Sequence, residues 1–82
     1  MNGPEIQYPC EWSYRIIGTD EQALREAASE SVEGLDYRLS LANQSQNKTY
    51  LSMNLTVVVE TQAIRDRIFK SLENHPAVRF IL

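Results

Sequence analysis

Hydrophobic and polar residues alternate in four segments of the chain, and this two-residue period is typical of strands that bury one face. The first segment begins near Cys10 and ends at Gly18, and the third, from Tyr50 to Val59, has the longest regular alternation. The sequence therefore predicts four strands. The residues predicted to face the core are Trp12, Tyr14, Ile16, Tyr37, Leu39, Leu41, Leu51, Met53, Leu55, Val57, Val59, Val78, Phe80 and Leu82.

Two other segments space their apolar residues at the 3.6-residue period of a helix. Thr19 is the predicted N-cap of the first helix, and Gly34 is placed to terminate it. Thr61 is the predicted N-cap of the second helix, which stops at the Asn-His-Pro of residues 74–76. The predicted buried faces are Leu24, Ala27, Ala28, Ser31 and Val32 in the first helix and Ile64, Ile68, Phe69 and Leu72 in the second. The residues of the second helix predicted to face water are Arg65, Asp66, Arg67, Lys70 and Glu73.

The order strand-helix-strand-strand-helix-strand predicts one α+β domain. A four-stranded antiparallel sheet with both helices on one face would cover the apolar side of every element. This arrangement is the ferredoxin-like βαββαβ sandwich, whose strand order is 4-1-3-2. Residues 1–9 are expected to be a flexible N-terminal lead-in, residues 10–82 the single domain, and the polar residues 43–48 the tip of a hairpin.

Composition narrows the classes of function. Eight Lys and Arg against eleven Asp and Glu give a net charge of -3, whereas a protein that mainly neutralises phosphates needs clustered basic residues in excess. No stretch approaches the roughly 20 apolar residues of a membrane span, and the first residues lack a signal-peptide pattern. The single cysteine, Cys10, fits a reducing compartment. We therefore expect a cytoplasmic protein with no membrane partner, for which nucleic acid is disfavoured.

Residues with catalytic or metal-binding chemistry are few. His75 and Cys10 are separated by most of the chain, whereas a metal site needs several converging ligands. His75 is more simply explained as a partner of a helix dipole, and Cys10 as a small buried hydrophobic residue. Three scattered glycines do not form a phosphate-binding loop. We expect no catalytic residue, no metal and no cofactor, and hence no enzymatic activity.

Three segments of the chain resemble a known family. They are Tyr8-Pro9 followed by WSYRIIG at residues 12–18, SMNLTVVV at residues 52–59, and the closing VRFIL at residues 78–82. In order and spacing they are similar to the YbeD-like proteins, small bacterial proteins of unknown function whose fold is similar to the ACT regulatory domain. The resemblance implies an ACT-like form of the ferredoxin-like fold. It also implies regulation through a small ligand or through subunit pairing, as in a homodimer.

The sheet face opposite the helices is the candidate binding surface. In the strand order 4-1-3-2, Arg15 and Arg79 would be neighbours on adjacent strands, and Ile17, Val58 and Ile81 would also lie on this face. The face is either an ordinary solvated surface, whose arginines pair with acidic residues or water, or a platform for a partner. The residues predicted to bind the partner are Arg15, Arg38, Asn54, Arg79 and Ile81.

Three functions stay open on these grounds. The first is a non-catalytic regulatory or protein-interaction module, which binds an unidentified protein partner or small ligand through this face. The second is an RNA-contacting module that uses the arginines of the face. RNA-binding domains of this fold stack bases on sheet aromatics, and here only Tyr50 is predicted on that face, since the others, Trp12, Tyr14, Tyr37 and Phe80, are predicted to face the core. The third is an enzyme with an unrecognised site.

Overall fold

The computed structural model describes residues 7–44 and 49–82. The expectations for residues 1–6 of the lead-in and residues 45–48 of the hairpin tip lie outside the described residues. The predicted order of strands and helices is confirmed. The elements are β1 (Cys10–Gly18), α1 (Glu21–Ser31), β2 (Tyr37–Gln44), β3 (Leu51–Val59), α2 (Gln62–Asn74) and β4 (Phe80–Ile81). Asn43 and Gln44, which were predicted in the hairpin tip, belong to β2 instead.

The strands form one antiparallel sheet in the order β2-β3-β1-β4, so the ferredoxin-like topology is confirmed. The central strands β1 and β3 pair along their whole length, from Cys10 opposite Val59 to Gly18 opposite Leu51. β2 pairs with β3 on its other side, with an irregularity of register between Leu41 and Asn43. β1 and β3 thus form the centre of the sheet, which positions the candidate site.

The core lies between the sheet and the two helices. Alternate residues of β1 and β3 point toward the helices, which bury their predicted apolar stripes against the sheet. Both helix faces and the long alternation of β3 are confirmed. The residues with at most 1% exposure are Ile16, Leu24, Ala27, Ala28, Val32, Met53, Leu55, Val57, Val59, Ile68 and Leu72.

The two helices start at residues whose side chains accept main-chain hydrogen bonds. Thr61 caps α2 as predicted, since the N–H of Ile64 donates to its Oγ1 at 3.1 Å. The predicted cap Thr19 of α1 was wrong. Asp20 takes that role, and the N–H of Gln22 donates to its Oδ1 at 3.0 Å.

Gly18 allows the chain between α2 and β4 to approach the end of β1. A Cβ at this position would lie 2.6 Å from the carbonyl oxygen of Ala77 and 2.9 Å from a methyl of Leu24. Because real Cβ atoms do not come this close to a carbonyl oxygen, only glycine fits without a shift of the main chain. Gly34, in the turn after α1, has a φ of 83° instead, which also favours glycine.

The predicted faces of β4 were wrong. Ile81 lies opposite Ile16 and packs against the core, whereas Phe80 lies opposite Ile17 and is 57% exposed. The chain bends at Arg79, so that buried Val78 lies outside the strand and the alternation cannot be extended from it. The N–H of Arg79 donates to the carbonyl oxygen of Ile17 at 2.7 Å, so that Arg79 lies beside Ile17 at the edge of β1.

The helix side of β2 is less covered than the sequence pattern suggested. Tyr37 and Leu41 lie opposite the buried Val57 and Met53, yet they are 42% and 50% exposed. Both helices pack on the central strands β1 and β3, and the edge strand extends past them. The core-side position of these residues was therefore correct, but their expected burial was not.

Candidate functional site

The open face, by which we mean the sheet surface opposite the helices, is polar in its middle. Ser13 of β1 lies opposite Thr56 of β3, and their hydroxyl oxygens are 3.0 Å apart. Arg15 lies opposite Asn54, and its Nε donates to the amide oxygen Oδ1 at 3.4 Å. The structure thus brings two of the predicted partner-binding residues, Arg15 and Asn54, into direct contact.

One end of the open face carries charged residues. Arg38 of β2 reaches Glu11 of β1, with 3.3 Å between Nη2 and Oε2, and both side chains are more than half exposed. An ion pair of this kind contributes only about 0–1 kcal/mol because water screens it. Arg38 therefore has the simple explanation that it belongs to a solvated charge pair.

The opposite end of the open face carries aromatic and apolar side chains. The rings of Phe80 and Tyr50 lie 6.2 Å apart, tilted by 57°, and Ile17 lies directly opposite Phe80. Leu82, which is 74% exposed, exchanges both main-chain hydrogen bonds with Arg15, at 3.1 and 2.9 Å. We call Ile17, Tyr50, Phe80 and Leu82 the aromatic patch. It borders Arg15, so a cation adjoins exposed apolar surface.

Ile17, Val58 and Ile81, which were predicted on the open face, do not cluster there. Ile81 lies on the helix side, and Val58 lies opposite Glu11 at the charged end of the face. Glu11 and Ile17 are six positions apart along the strand, which corresponds to about 20 Å. Arg15 and Arg79 are likewise not the neighbours that were predicted, since Arg15 pairs with Leu82 and Arg79 pairs with Ile17.

Phe80 and Leu82 are the residues of the open face that the sequence pattern missed. Each was predicted to point at the core because the alternation was counted from Val78. The four hydrophobic residues among the last five, VRFIL, fit either assignment. The two assignments differ in which residues of the segment face the core. Alternation cannot decide between them, because β4 spans only two residues.

A groove runs between the edge of β1 and helix α2. The Arg65 guanidinium lies over the Trp12 ring, with 4.4 Å between Cζ and the ring centroid, and its side chain is 17% exposed. The prediction that Arg65 faces water was therefore wrong. The Tyr14 hydroxyl donates to the carbonyl oxygen of Arg65 at 2.7 Å. Burial raises the pKa of Tyr14 to about 12, because the phenolate would lose its hydration.

His75 and Cys10 do not come together. His75 is the C-cap residue of α2, and its Nδ1 accepts a hydrogen bond from the N–H of Ala77 at 3.1 Å. Its Nε2 lies 3.6 Å from Oε2 of Glu30. Cys10 is a half-buried free thiol at the start of β1.

Among residues 7–44 and 49–82, no three His, Cys, Asp or Glu side chains are grouped so as to hold a metal ion. No helix in this part of the chain is long and apolar enough to span a bilayer.

Comparison with known proteins gives the family. The model of a family described as "Protein of unknown function (DUF493)" matches residues 3–82. The chain belongs to the DUF493 family. This membership confirms the resemblance to the YbeD-like proteins. An uncharacterized protein from Helicobacter pylori J99 is 33% identical over 84 residues, which is 100% of this chain and 95% of the relative. A UPF0250 protein of Nitrosomonas europaea is 26% identical over 81 residues, which is 94% of this chain and 93% of the relative.

A solved structure supports the fold of this DUF493 protein. The solution structure of the H. pylori protein HP0495 superposes with a TM-score of 0.83 at 30% identity, over 96% of this chain and 87% of that one. A second solution structure of HP0495 gives a TM-score of 0.66 at 27% identity. The names of these relatives, uncharacterized or hypothetical, assign no function to the family.

Proposed function

We propose that this DUF493 protein is a non-catalytic regulatory or interaction module that binds a partner protein through the open face. The aromatic patch and Arg15 form the contact. The observation that carries the proposal is the exposure of Phe80, 57%, beside Tyr50 and Ile17 on a face that is otherwise polar. Clustered exposed apolar side chains with a polar rim are typical of interaction sites.

The composition of this surface fits a protein interface. Tyr, Phe and Arg are enriched in protein interfaces, and Tyr and Arg among the residues that dominate binding energy. Arg15 contacts the neutral amide of Asn54 at 3.4 Å, so this contact does not neutralise its charge. A carboxylate of the partner could accept hydrogen bonds from the guanidinium while its apolar residues cover Phe80 and Tyr50.

The shape of the open face favours a protein over a small ligand. The depression bordered by Ile17, Asn43, Tyr50 and Ser52 has a volume of about 170 Å³, whereas ligand pockets usually measure about 300–1,000 Å³. A shallow surface of this size suits a side chain of a partner better than an enclosed metabolite. The partner is either a different protein or a second copy of this chain.

RNA is the second candidate, because Phe80 joins Tyr50 on the open face. Two aromatic rings beside an arginine could stack bases of a single strand. The net charge of -3 opposes this function, since RNA binding relies on an excess of basic side chains. We therefore rank a protein partner first. We propose the cytoplasm as the compartment, in keeping with the free thiol of Cys10.

The test is capture from a bacterial lysate by wild-type protein and by two pairs of variants. Phe80→Ser removes the centre of the aromatic patch, and its control Leu41→Ser removes a comparably exposed apolar residue, 50%, from the helix side of β2. Arg15→Glu reverses the charge beside the patch, and its control Arg67→Glu does so on the exposed side of α2. Bound protein and bound RNA are both quantified.

We expect a defined protein that wild type and both controls retain and that Phe80→Ser and Arg15→Glu lose by more than about tenfold. Sedimentation of the purified protein at increasing concentration shows whether that partner is a second copy. Retention of RNA that falls steeply with salt would favour the RNA function instead. Equal loss with Leu41→Ser would show that the aromatic patch is not the site.

A further inference from the structure

β2 forms one edge of the sheet, and its main-chain groups alternate between β3 and the outside. The N–H of Val58 in β3 donates to the carbonyl oxygen of Asp36, directly before β2, at 3.2 Å. Since hydrogen-bonding direction alternates along a strand, Arg38 and Ser40 also direct their N–H and C=O groups toward β3. The residues that direct these groups to the outer edge are Tyr37, Leu39 and Leu41.

The pairing of β1 gives the same result independently. Arg15 exchanges its main-chain hydrogen bonds with Leu82, on the side of β4. The main chain of Asn54, opposite Arg15 in β3, therefore points away from β1 and toward β2. Asn54 lies opposite Ser40, so Ser40 bonds with β3 and the residues on either side of it do not. Within residues 7–44 and 49–82, no strand lies beside the outer edge of β2.

The outer edge of β2 lacks the features that usually keep strand edges from pairing, such as proline, lysine or an early bulge. The register with β3 is regular from Tyr37 to Leu41, and the irregularity comes only between Leu41 and Asn43. Arg38, the charged residue of this stretch, contacts Glu11 with its side chain on the open face. The main chain from Tyr37 to Leu41 can therefore pair with another strand.

We propose that this edge pairs with the same edge of a second copy of the chain, antiparallel and about a twofold axis at Leu39. Leu39 then lies opposite Leu39 of the second copy, and on either side of the axis Tyr37 lies opposite Leu41 of the other copy. Each of these pairs exchanges both main-chain hydrogen bonds. Because the contact is the same on both copies, it uses both edges and closes at a dimer. The interface is separate from the proposed contact at the aromatic patch and does not depend on it.

The helix side of β2 supplies apolar contacts across this axis. Both helices pack on β1 and β3, so Tyr37 and Leu41 are 42% and 50% exposed, and Leu39 is half-buried. In the dimer, the Tyr37 ring packs beside Leu41 of the second copy. Side chains directly opposite each other in such a ladder are close enough to contact, and this contact removes apolar surface from water. The surface that the helices leave uncovered is therefore complementary to itself.

Charge on the open face selects the register. With the axis at Leu39, Arg38 lies opposite Ser40 of the second copy, and no like charges meet. An axis at Arg38 would place two guanidinium groups opposite each other. An axis at Ser40 would place Tyr37 opposite Asn43, beyond the irregularity of register, and would lose its apolar contact. Of these three positions, the axis at Leu39 is the one that uses all outward residues of the regular stretch.

Sedimentation equilibrium tests the dimer. The ladder is shorter than a standard interface of about 20–30 residues a side, so we expect reversible association with a Kd on the order of 10–100 µM. Leu41→Ser, the control for the open face, should weaken this association by at least about tenfold, and Phe80→Ser should leave it unchanged. A wild-type protein that stays monomeric at about 1 mM overturns the proposal and leaves the edge to a segment of a different protein. Association that Phe80→Ser abolishes and Leu41→Ser retains also overturns it, since the copies would then meet through the open face.

Cysteine pairing tests the register. Tyr37→Cys and Leu41→Cys are each made in a Cys10→Ser background, mixed in equal amounts, oxidised mildly and analysed on a non-reducing gel. Residues opposite each other in a hydrogen-bonded pair have Cα atoms about 5.5 Å apart, which is within the range of a disulfide. In either variant alone, the two cysteines of the dimer would lie about 13 Å apart along the strands.

We expect a cross-linked dimer in the mixture and not in either variant alone. A mixture of Tyr37→Cys with Arg67→Cys, whose position is on the exposed side of α2, measures cross-linking by chance collision. The proposal is overturned if the first mixture gives no more cross-linked dimer than this control, or if either variant alone gives as much as the mixture.

Discussion

The two faces of the sheet are formed by the same strands but differ in what the fold requires of them. On the helix side, every second residue of β1 and β3 packs under α1 or α2, and Leu55, Met53 and Ile16 are completely buried. On the open face, the middle of the same strands carries Ser13 and Thr56, which contact each other through hydroxyl groups. Burial determines the first set, whereas the second set is free to be polar.

This difference between the two faces explains why the aromatic patch is a candidate binding site. An exposed polar residue on the open face needs no explanation beyond solvation, as the ion pair of Arg38 and Glu11 illustrates. Phe80 and Leu82 receive no such explanation, because the helices do not cover them and they are 57% and 74% exposed. Apolar residues that the core does not require are candidates for a contact outside the chain.

The largest expected effect compares neighbouring residues of β3 on opposite faces. Leu55→Ala removes a side chain with 0% exposure and should lower the free energy of unfolding by about 2–5 kcal/mol through lost burial and a cavity. Thr56→Ala on the open face removes the hydroxyl contact with Ser13 and should cost about 0.5–1 kcal/mol. Urea denaturation of both variants measures the difference. Similar losses would contradict the assignment of the two faces.

A second prediction concerns the pH dependence of the helix side. The pKa of Tyr14 is raised to about 12 in the folded protein, and it is about 10 in the unfolded chain. The folded state therefore retains the phenol proton over a range in which the unfolded chain loses it. The resulting stability is fully present below pH 10 and is lost as the pH rises from 10 to 12. The expected loss is on the order of 2 kcal/mol.

Tyr14→Phe is the control for this titration. It removes the hydrogen bond of 2.7 Å to the carbonyl of Arg65 and should cost about 1 kcal/mol at neutral pH. Its stability should then fall less steeply than that of wild type between pH 10 and 12. Unfolding curves with urea at several pH values measure both effects. Parallel curves for the two proteins would show that Tyr14 does not cause the alkaline loss.

The sequence predicts the helix side of the molecule far better than the edges. The long alternation of β3 and the helical periods of α1 and α2 place the core correctly, because each repeats over several turns or pairs. The position of Thr61 directly before the helical period of α2 is also sufficient to identify it as the N-cap. Thr19 and Asp20 are both good capping residues, so composition alone does not choose between them.

The sequence is weakest where an interaction depends on three-dimensional proximity. Arg65 lies outside the apolar stripe of α2 in the sequence, so the helical period predicts that it faces water. Its packing on the Trp12 ring, which the sequence does not indicate, removes it from water. Of the predicted site residues, Arg15 and Asn54 were each predicted on the open face, and the long, regular register of β1 and β3 places them opposite each other there. Ile81 was predicted on the wrong face, and Arg79 was predicted beside Arg15 instead of Ile17, because a bend precedes the two residues of β4. Short edge strands contain too few residues for alternation to define their faces.

The smallest expected effect tests β4 itself. Ile81 packs against the core and Phe80 does not, so Ile81→Ala should cost about 1 kcal/mol and Phe80→Ala less than about 0.5 kcal/mol. Thermal unfolding of the two variants measures this order, and the alternation counted from Val78 would require the reverse. A side chain that contributes little to stability has to be explained by something other than folding. If Phe80→Ala unfolds like wild type but Phe80→Ser no longer captures the partner, binding rather than packing accounts for the aromatic residue at this position.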